Sequence, residues 1–204
     1  MVTASARRAL HPPDFERMNL PKEFWRAKVQ QVSASVQPAV ERYLLRIREM
    51  VAKGAGLLIC GDSGVGKTSV AALIAKESRA RGYVTFFVGI WELREAIRSR
   101  VMFDDGVSIL DRCREVDVLI LDGLREDDAK ELYLGERTLE ELISYRKARH
   151  RVTIVTTCMS MRDISAALPG FYNATVGALV PLLIAGENKK IRAHEDLVKE
   201  ILGV

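Results

Sequence analysis

The chain alternates short, almost wholly apolar runs with longer stretches in which apolar residues return every three or four positions. The runs are Gly56-Leu57-Leu58-Ile59-Cys60, Val84-Thr85-Phe86-Phe87-Val88, Asp117-Val118-Leu119-Ile120-Leu121-Asp122 and Arg151-Val152-Thr153-Ile154-Val155-Thr156-Thr157. Their length and lack of a polar face predict strands buried on both sides, as in a parallel sheet. Between them, Val70, Leu73 and Ile74 in 69–81 and Leu93, Ile97 and Val101 in 91–103 keep helical spacing. Residues 107–115 and 136–150 also read as helices. A helix beginning at Asp163 is expected to break at Pro169-Gly170. Residues 179–185 predict a fifth strand and 194–202 a final helix. Strands alternating with helices predict an α/β fold of three layers, a parallel sheet flanked by helices.

Ahead of the first strand the pattern is looser. Residues 1–21 read as irregular, with Pro12-Pro13 and Pro21 as breakers. A helix is expected from Lys22 onward, with Phe24, Trp25 and Val29 as its apolar stripe. Residues 39–53 predict one amphipathic helix, with Val40, Tyr43, Leu44, Ile47 and Val51 on a single face and Gly54 as its cap.

At 204 residues, 48% hydrophobic and 28% charged, the chain suits one domain with a short appendage. The division expected is an N-terminal arm over 1–38 and a nucleotidase domain over 39–204. A net charge of +4 permits a nucleic-acid partner without demanding one. Three cysteines, Cys60, Cys113 and Cys158, show no metal spacing. Cys60 and Cys158 lie in apolar runs, which predicts buried free thiols and a reducing, cytoplasmic setting. Met1 to Leu10 lacks a secretory pattern, and no apolar stretch is long enough to cross a bilayer, so no membrane role is expected.

The decisive motif is Gly61-Asp62-Ser63-Gly64-Val65-Gly66-Lys67-Thr68, which fits the phosphate loop G-x-x-x-x-G-K-[ST]. It follows a predicted strand and opens a predicted helix at Ser69, as the motif requires. Glycines let backbone amides converge on phosphate oxygens, and the helix N-terminus adds partial positive charge. Lys67 is expected to reach the β- and γ-phosphates of ATP, and the Thr68 hydroxyl to bind Mg²⁺. Asp122, closing a buried strand, suits the carboxylate that holds the same metal. Gly123 follows it, so a group to orient the attacking water must come from elsewhere; Glu126 is the candidate, set against a merely solvated acidic loop.

Taken in order, Gly61 to Thr68, Arg81-Gly82-Tyr83, Trp91-Glu92-Leu93, residues 117–124 and residues 153–160 resemble the AAA+ ATPases of the DnaC-type helicase loaders and IstB-type transposase helpers. Pro12-Pro13-Asp14-Phe15 resembles the segment ahead of that family's core. The resemblance implies an ATP-binding AAA+ module with a short or absent C-terminal lid, which self-associates and engages single-stranded DNA. Its protein partner would be a replicative helicase or a transposase. It also implies that the helix after the second strand, with Arg94, Arg98 and Arg100 and with Trp91 and Phe103 flanking as stacking candidates, lies near the DNA path. An ordinary solvated face is the competing reading of those arginines. The family's sensor strand ends in Asn; here Cys158 stands there, a poor hydrogen-bond donor, with Thr157 as a partial substitute. The family's second acid after Asp122 is replaced by Gly123, and residues 173–182, where it carries an arginine finger, contain no Arg.

Two functions remain from sequence. One is a helicase-loader-like ATPase acting on DNA with slow hydrolysis. The other is a hydrolysis-deficient, ATP-gated adaptor or transposition helper. A small-molecule kinase is disfavoured because no basic lid follows Asp122. The cluster Arg146-Lys147-Ala148-Arg149-His150-Arg151 is a second candidate DNA contact that reads at least as well as a solvated helix end, favourable for the helix dipole; Lys189, Lys190 and Arg192 form a third basic group, a candidate phosphate or subunit contact.

Overall fold

A five-stranded, all-parallel sheet forms the middle layer: β1 (Gly56–Cys60), β2 (Thr85–Gly89), β3 (Val118–Leu124), β4 (Val152–Thr157) and β5 (Leu179–Leu183). Its order is β2-β3-β4-β1-β5, so the two sequence-adjacent strands β1 and β2 are separated by β3 and β4. This computed structural model describes residues 7–100, 102–103, 105–127, 135–186 and 188. The expected helix over 194–202 and any C-terminal lid lie outside the described residues.

The helices are α1 (Pro12–Arg17), α2 (Gln37–Leu45), α3 (Ile47–Lys53), α4 (Lys67–Ala80), α5 (Ile90–Arg98), α6 (Ile109–Glu115), α7 (Glu136–Ala148), α8 (Met161–Ala167) and α9 (Pro169–Thr175). Side-chain alternation along each strand sorts them into two layers. Leu57, Ile59, Phe87, Ile120 and Ile154 face α2, α3, α4 and the N-terminal arm. Leu58, Cys60, Val88, Leu119, Leu121 and Val155 face α5 to α9. The fold is therefore the three-layer α/β arrangement that the hydrophobic pattern predicts. Among the described residues, no helix is long and apolar enough to cross a membrane.

Three expectations about local structure are corrected. Pro12 and Pro13 open α1 rather than break it, because proline costs nothing at the first helical positions, where amides lack partners anyway. The buried Asp14 anchors this turn to Arg8 and Arg79, and the Arg8 hydrogen bond holds its carboxyl well below the usual carboxylate range. Between Lys22 and Val36 there is no α-helix, only two single 3₁₀ turns, Lys22–Phe24 and Val29–Gln31. Trp25 is fixed instead by an indole N–H bond to the Leu20 carbonyl and by its ring lying 5.1 Å from that of Phe15. The single helix expected over 39–53 is two, joined at Arg46. The break keeps Val40 and Ile47 buried while leaving Leu45 81% exposed.

The arm is tied to the sheet. The Phe87 amide donates to the Met18 carbonyl at 2.8 Å, and the Asn19 amide group donates to the Phe87 carbonyl at 3.0 Å. These bonds partner the outer side of β2, which would otherwise be a bare sheet edge.

Arg146 is not at a solvated helix end; its side chain is fully buried. Its guanidinium donates to the carbonyls of Cys113, Val116 and Val152 at 2.6–2.9 Å and to the Thr153 hydroxyl at 2.9 Å. Longer bonds reach the carbonyls of Arg114 and Asp117. No ion pair to Arg146 forms among the described residues, and burial lowers its pKa to about 9. One planar donor fork thus ties α6, the entry to β3 and β4 to the end of α7.

Candidate functional site

β1 delivers the chain to the loop at residues 61–66, and α4 begins at Lys67. Gly61, Gly64 and Gly66 have φ of 150°, 80° and 102°. A side chain at Gly64 would meet the Asn188 amide oxygen at 1.9 Å, and one at Gly61 the Ile184 carbonyl at 2.2 Å. Gly61 therefore admits no larger residue without a backbone shift, whereas at Gly64 the positive φ, rather than the movable Asn188 side chain, is what disfavours one. Val65 turns inward and packs in the core shared with α4, while the Asp62 and Ser63 side chains face solvent. Gly66, Lys67, Thr68 and Ser69 carry the first amides of α4 to the mouth of a cleft of about 430 Å³.

Lys67 is buried, and its ammonium donates to the Gly61 and Asp62 carbonyls at 2.8 and 2.7 Å. It also lies 3.4 Å from the Cys158 sulfur, across from the end of β4. Cys158 is exposed, which corrects the expectation of a buried thiol. The chain has already left the sheet there, so the apolar run no longer dictates burial. Cys60 and Cys113 are buried; burial raises both thiols, Cys113 to about 12.

Asp122 comes to the same cleft from β3. Its Oδ2 accepts from the Thr68 hydroxyl at 3.3 Å and its Oδ1 from the Thr156 hydroxyl at 2.7 Å. Burial pushes the carboxyl up; the two hydroxyls and the Lys67 charge oppose that shift. Asp122 and Thr68 present hard oxygen donors side by side. A magnesium ion takes such donors when phosphates and waters complete its shell. Among the described residues no cluster of three or more His, Cys, Asp or Glu offers a metal cage of protein ligands alone. The donor set therefore fits a cation that arrives with a nucleotide.

Thr156 was not singled out by sequence reasoning, which named Thr157. The two point to opposite faces of β4. Thr156 shares the face of Ile154 and α4, whereas Thr157 donates to the Leu124 carbonyl at 2.9 Å and accepts from the Met159 amide. Strand parity is the signal that separates them: Ile59, which faces α4, pairs with Thr156.

After Asp122 the pairing of β3 with β4 slips by one residue, between Leu121 and Leu124. Gly123 occupies this bulge at φ 85°, and its amide donates to the Thr156 hydroxyl at 2.9 Å. Glu126 is exposed two residues past the strand and is not one of the described residues lining the cleft, whereas Arg125 is. Pro21, Glu23 and Phe24 also line it, so the arm contributes a wall to the cleft, and Phe24, expected on the apolar stripe of a helix, is part of that wall.

On α5, Arg94 is largely covered, while Arg98 is half exposed and bonded to Glu95. Arg100 lies beyond the helix end in a left-handed turn and is exposed. Trp91, at the start of α5, is 66% exposed; it follows Gly89, which pairs with Asp122 at the cleft end of the sheet. Phe103 is not an open platform, because the Arg112 guanidinium covers it at 3.9 Å and Phe86 packs on its edge. The basic group Lys189, Lys190 and Arg192 lies outside the described residues.

Residues 29–179 match a family model described as IstB-like ATP binding protein. No curated protein sequence matches the chain. Among solved structures, DnaI is similar with a TM-score of 0.65 at 24% identity, over 82% of this chain and 93% of that one. The DnaC helicase loader has a TM-score of 0.63 at 23% identity, over 81% and 100%. The replication initiator DnaA, bound to AMPPCP and single-stranded DNA, has a TM-score of 0.64 at 16% identity, over 81% of this chain and 51% of DnaA. At these identities the structural likenesses establish the fold.

Proposed function

The chain belongs to the IstB-like ATP binding protein family, and on that premise we propose that it is an AAA+ ATPase that acts on DNA in the manner of a helicase loader, hydrolysing ATP slowly. The convergence of the loop amides, Lys67, Thr68 and Asp122 on one cleft carries this reading. The triphosphate would lie along residues 61–69, where amides and the N-terminus of α4 favour anionic oxygens. Lys67 turns from the loop carbonyls toward the β- and γ-phosphates. Thr68 and Asp122 would hold Mg²⁺, which would neutralise phosphate charge.

The slow turnover follows from what surrounds the phosphates. Gly123 offers no carboxylate beside Asp122, and Cys158 is a weak donor where the related ATPases carry Asn. Residues 173–182 hold no arginine, and an arginine finger is worth about 10³–10⁵ in turnover. Self-association along the nucleotide face can supply such an arginine from a neighbouring copy. Residues 39–204 are taken as the ATPase unit and 1–38 as its arm. Arg94, Arg98, Arg100 and Trp91 are the DNA contacts proposed, cations tracking phosphates beside an exposed aromatic. The structural neighbours include a helicase loader and an initiator bound to single-stranded DNA; a replicative helicase or a transposase is the protein partner proposed here.

The second reading, an ATP-gated adaptor with negligible turnover, is favoured by the left-handed backbone at Gly123, which disfavours a side chain at that position. Measuring ATP hydrolysis with and without single-stranded DNA separates the two. Turnover that rises several-fold with DNA supports the loader-like ATPase. Tight ATP binding with turnover at background, with or without DNA, supports the adaptor and overturns the first reading.

A further inference from the structure

The end of β4 carries a second contribution to the cleft. Thr156 is buried, and its hydroxyl has one proton. The oxygen accepts from the Gly123 amide at 2.9 Å, so the proton is directed to Asp122 Oδ1 at 2.7 Å. With Oδ1 engaged, Oδ2 is the oxygen turned to Thr68. The Gly123 bulge is what brings its amide to this hydroxyl; a regular strand would spend that amide on the ladder. The three groups form a closed chain, Gly123 amide to Thr156 hydroxyl to Asp122 carboxylate, which fixes the carboxylate's rotation about its own bond.

We infer that Thr156 is a positioning residue for the metal of the bound nucleotide: it orients Asp122 so that Oδ2 and the Thr68 hydroxyl are presented together to Mg²⁺. The inference rests on the nucleotide-binding reading above and adds to it a residue that touches neither phosphate nor metal. The geometry also accounts for a glycine after Asp122. The bulge that places its amide on Thr156 requires a left-handed residue there. The position is thereby committed to holding the metal carboxylate rather than to presenting a second acid. Partners that orient a metal ligand in this way typically govern metal affinity about 10- to 100-fold when removed.

The test compares Thr156→Val, which keeps the shape and loses the hydroxyl, with Thr156→Ser, which keeps the hydroxyl. The readout is the affinity for a fluorescent ATP analogue, titrated with Mg²⁺ and repeated in EDTA. Thr156→Val is expected to raise the Mg²⁺ concentration for half-maximal enhancement of binding by about tenfold or more, with EDTA affinity unchanged. Thr156→Ser is expected to stay within about twofold of the parent, judged against that tenfold effect. A Thr156→Val chain with the parent's Mg²⁺ dependence overturns the inference while leaving nucleotide binding intact. Equal loss of affinity with Mg²⁺ and in EDTA also overturns it, because the hydroxyl would then support the loop rather than the metal. A parent chain that binds no nucleotide overturns the underlying reading and the inference with it.

Discussion

The ammonium of Lys67 lies 3.4 Å from the sulfur of Cys158, so the lysine of the loop and the first residue past β4 meet across the cleft. Cys158 is exposed while Cys60 and Cys113 are buried. Iodoacetamide is therefore expected to add one adduct per folded chain, at Cys158, as read by intact mass and peptide mapping. The adduct fills the space beside Lys67 and should weaken ATP·Mg²⁺ binding by about tenfold or more, roughly 1.4 kcal/mol. Prior ATP·Mg²⁺ should slow the labelling. Labelling that ATP does not slow would place Cys158 off the nucleotide path.

Gly123 sits at φ 85° with nothing within 4 Å of a Cβ built on it. A substitution there meets backbone strain rather than a clash, at about 1–2 kcal/mol. Gly123→Glu should lower the melting temperature by about 2–8 °C without raising turnover, and Gly123→Ala should lower it similarly. A gain in hydrolysis on Gly123→Glu, with stability kept, would show that the bulge can carry a catalytic acid.

Burial raises the Asp122 carboxyl above its ordinary value. On acidification the folded chain then binds this proton before the unfolded chain does. The stabilisation is complete below the unfolded carboxyl's value and is lost as pH rises through the raised folded value. Above that raised value the ligand-free protein carries a charge that burial disfavours, a cost that Asp122→Asn removes. That variant should melt higher than the parent at pH 7 and gain nothing at low pH, where the parent's carboxyl is neutral too. Its ATP binding should no longer respond to Mg²⁺. Thermal melts across pH with the two proteins check both halves.

Arg146 satisfies carbonyls on three elements with one guanidinium. Arg146→Leu strands those carbonyls in the core and should cost roughly 3 kcal/mol or more in urea unfolding. Arg146→Lys keeps a charge but not the fork, and should recover only part of the loss. A change within about 1 kcal/mol for Arg146→Leu, the size of one ordinary hydrogen bond, would mean that water replaces the guanidinium.

The strands and the phosphate loop were legible because buried parallel strands leave unbroken apolar runs, and because the loop's glycines and lysine are fixed by what phosphate needs. Features set by partners distant in sequence were not. Nothing around Arg146 marks it as buried, since the carbonyls that hold it come from α6, the turn leading into β3, and β4. The break at Arg46 is silent because apolar spacing continues through it. Pro12 and Pro13 carry the same letters whether they stop a helix or start one. Thr156 is legible from strand alternation counted from Ile154, whereas the family pattern points to Thr157 and Cys158. Phe24 joins the cleft only through the fold of the arm.

Lys67→Ala tests the central claim, that the loop over residues 61–69 is the seat of ATP. Calorimetric titration of the parent with ATP and Mg²⁺ should show one site per chain. The variant, with an unchanged melting curve, should show no measurable heat of binding. Undiminished ATP affinity in a folded Lys67→Ala chain would contradict the assignment.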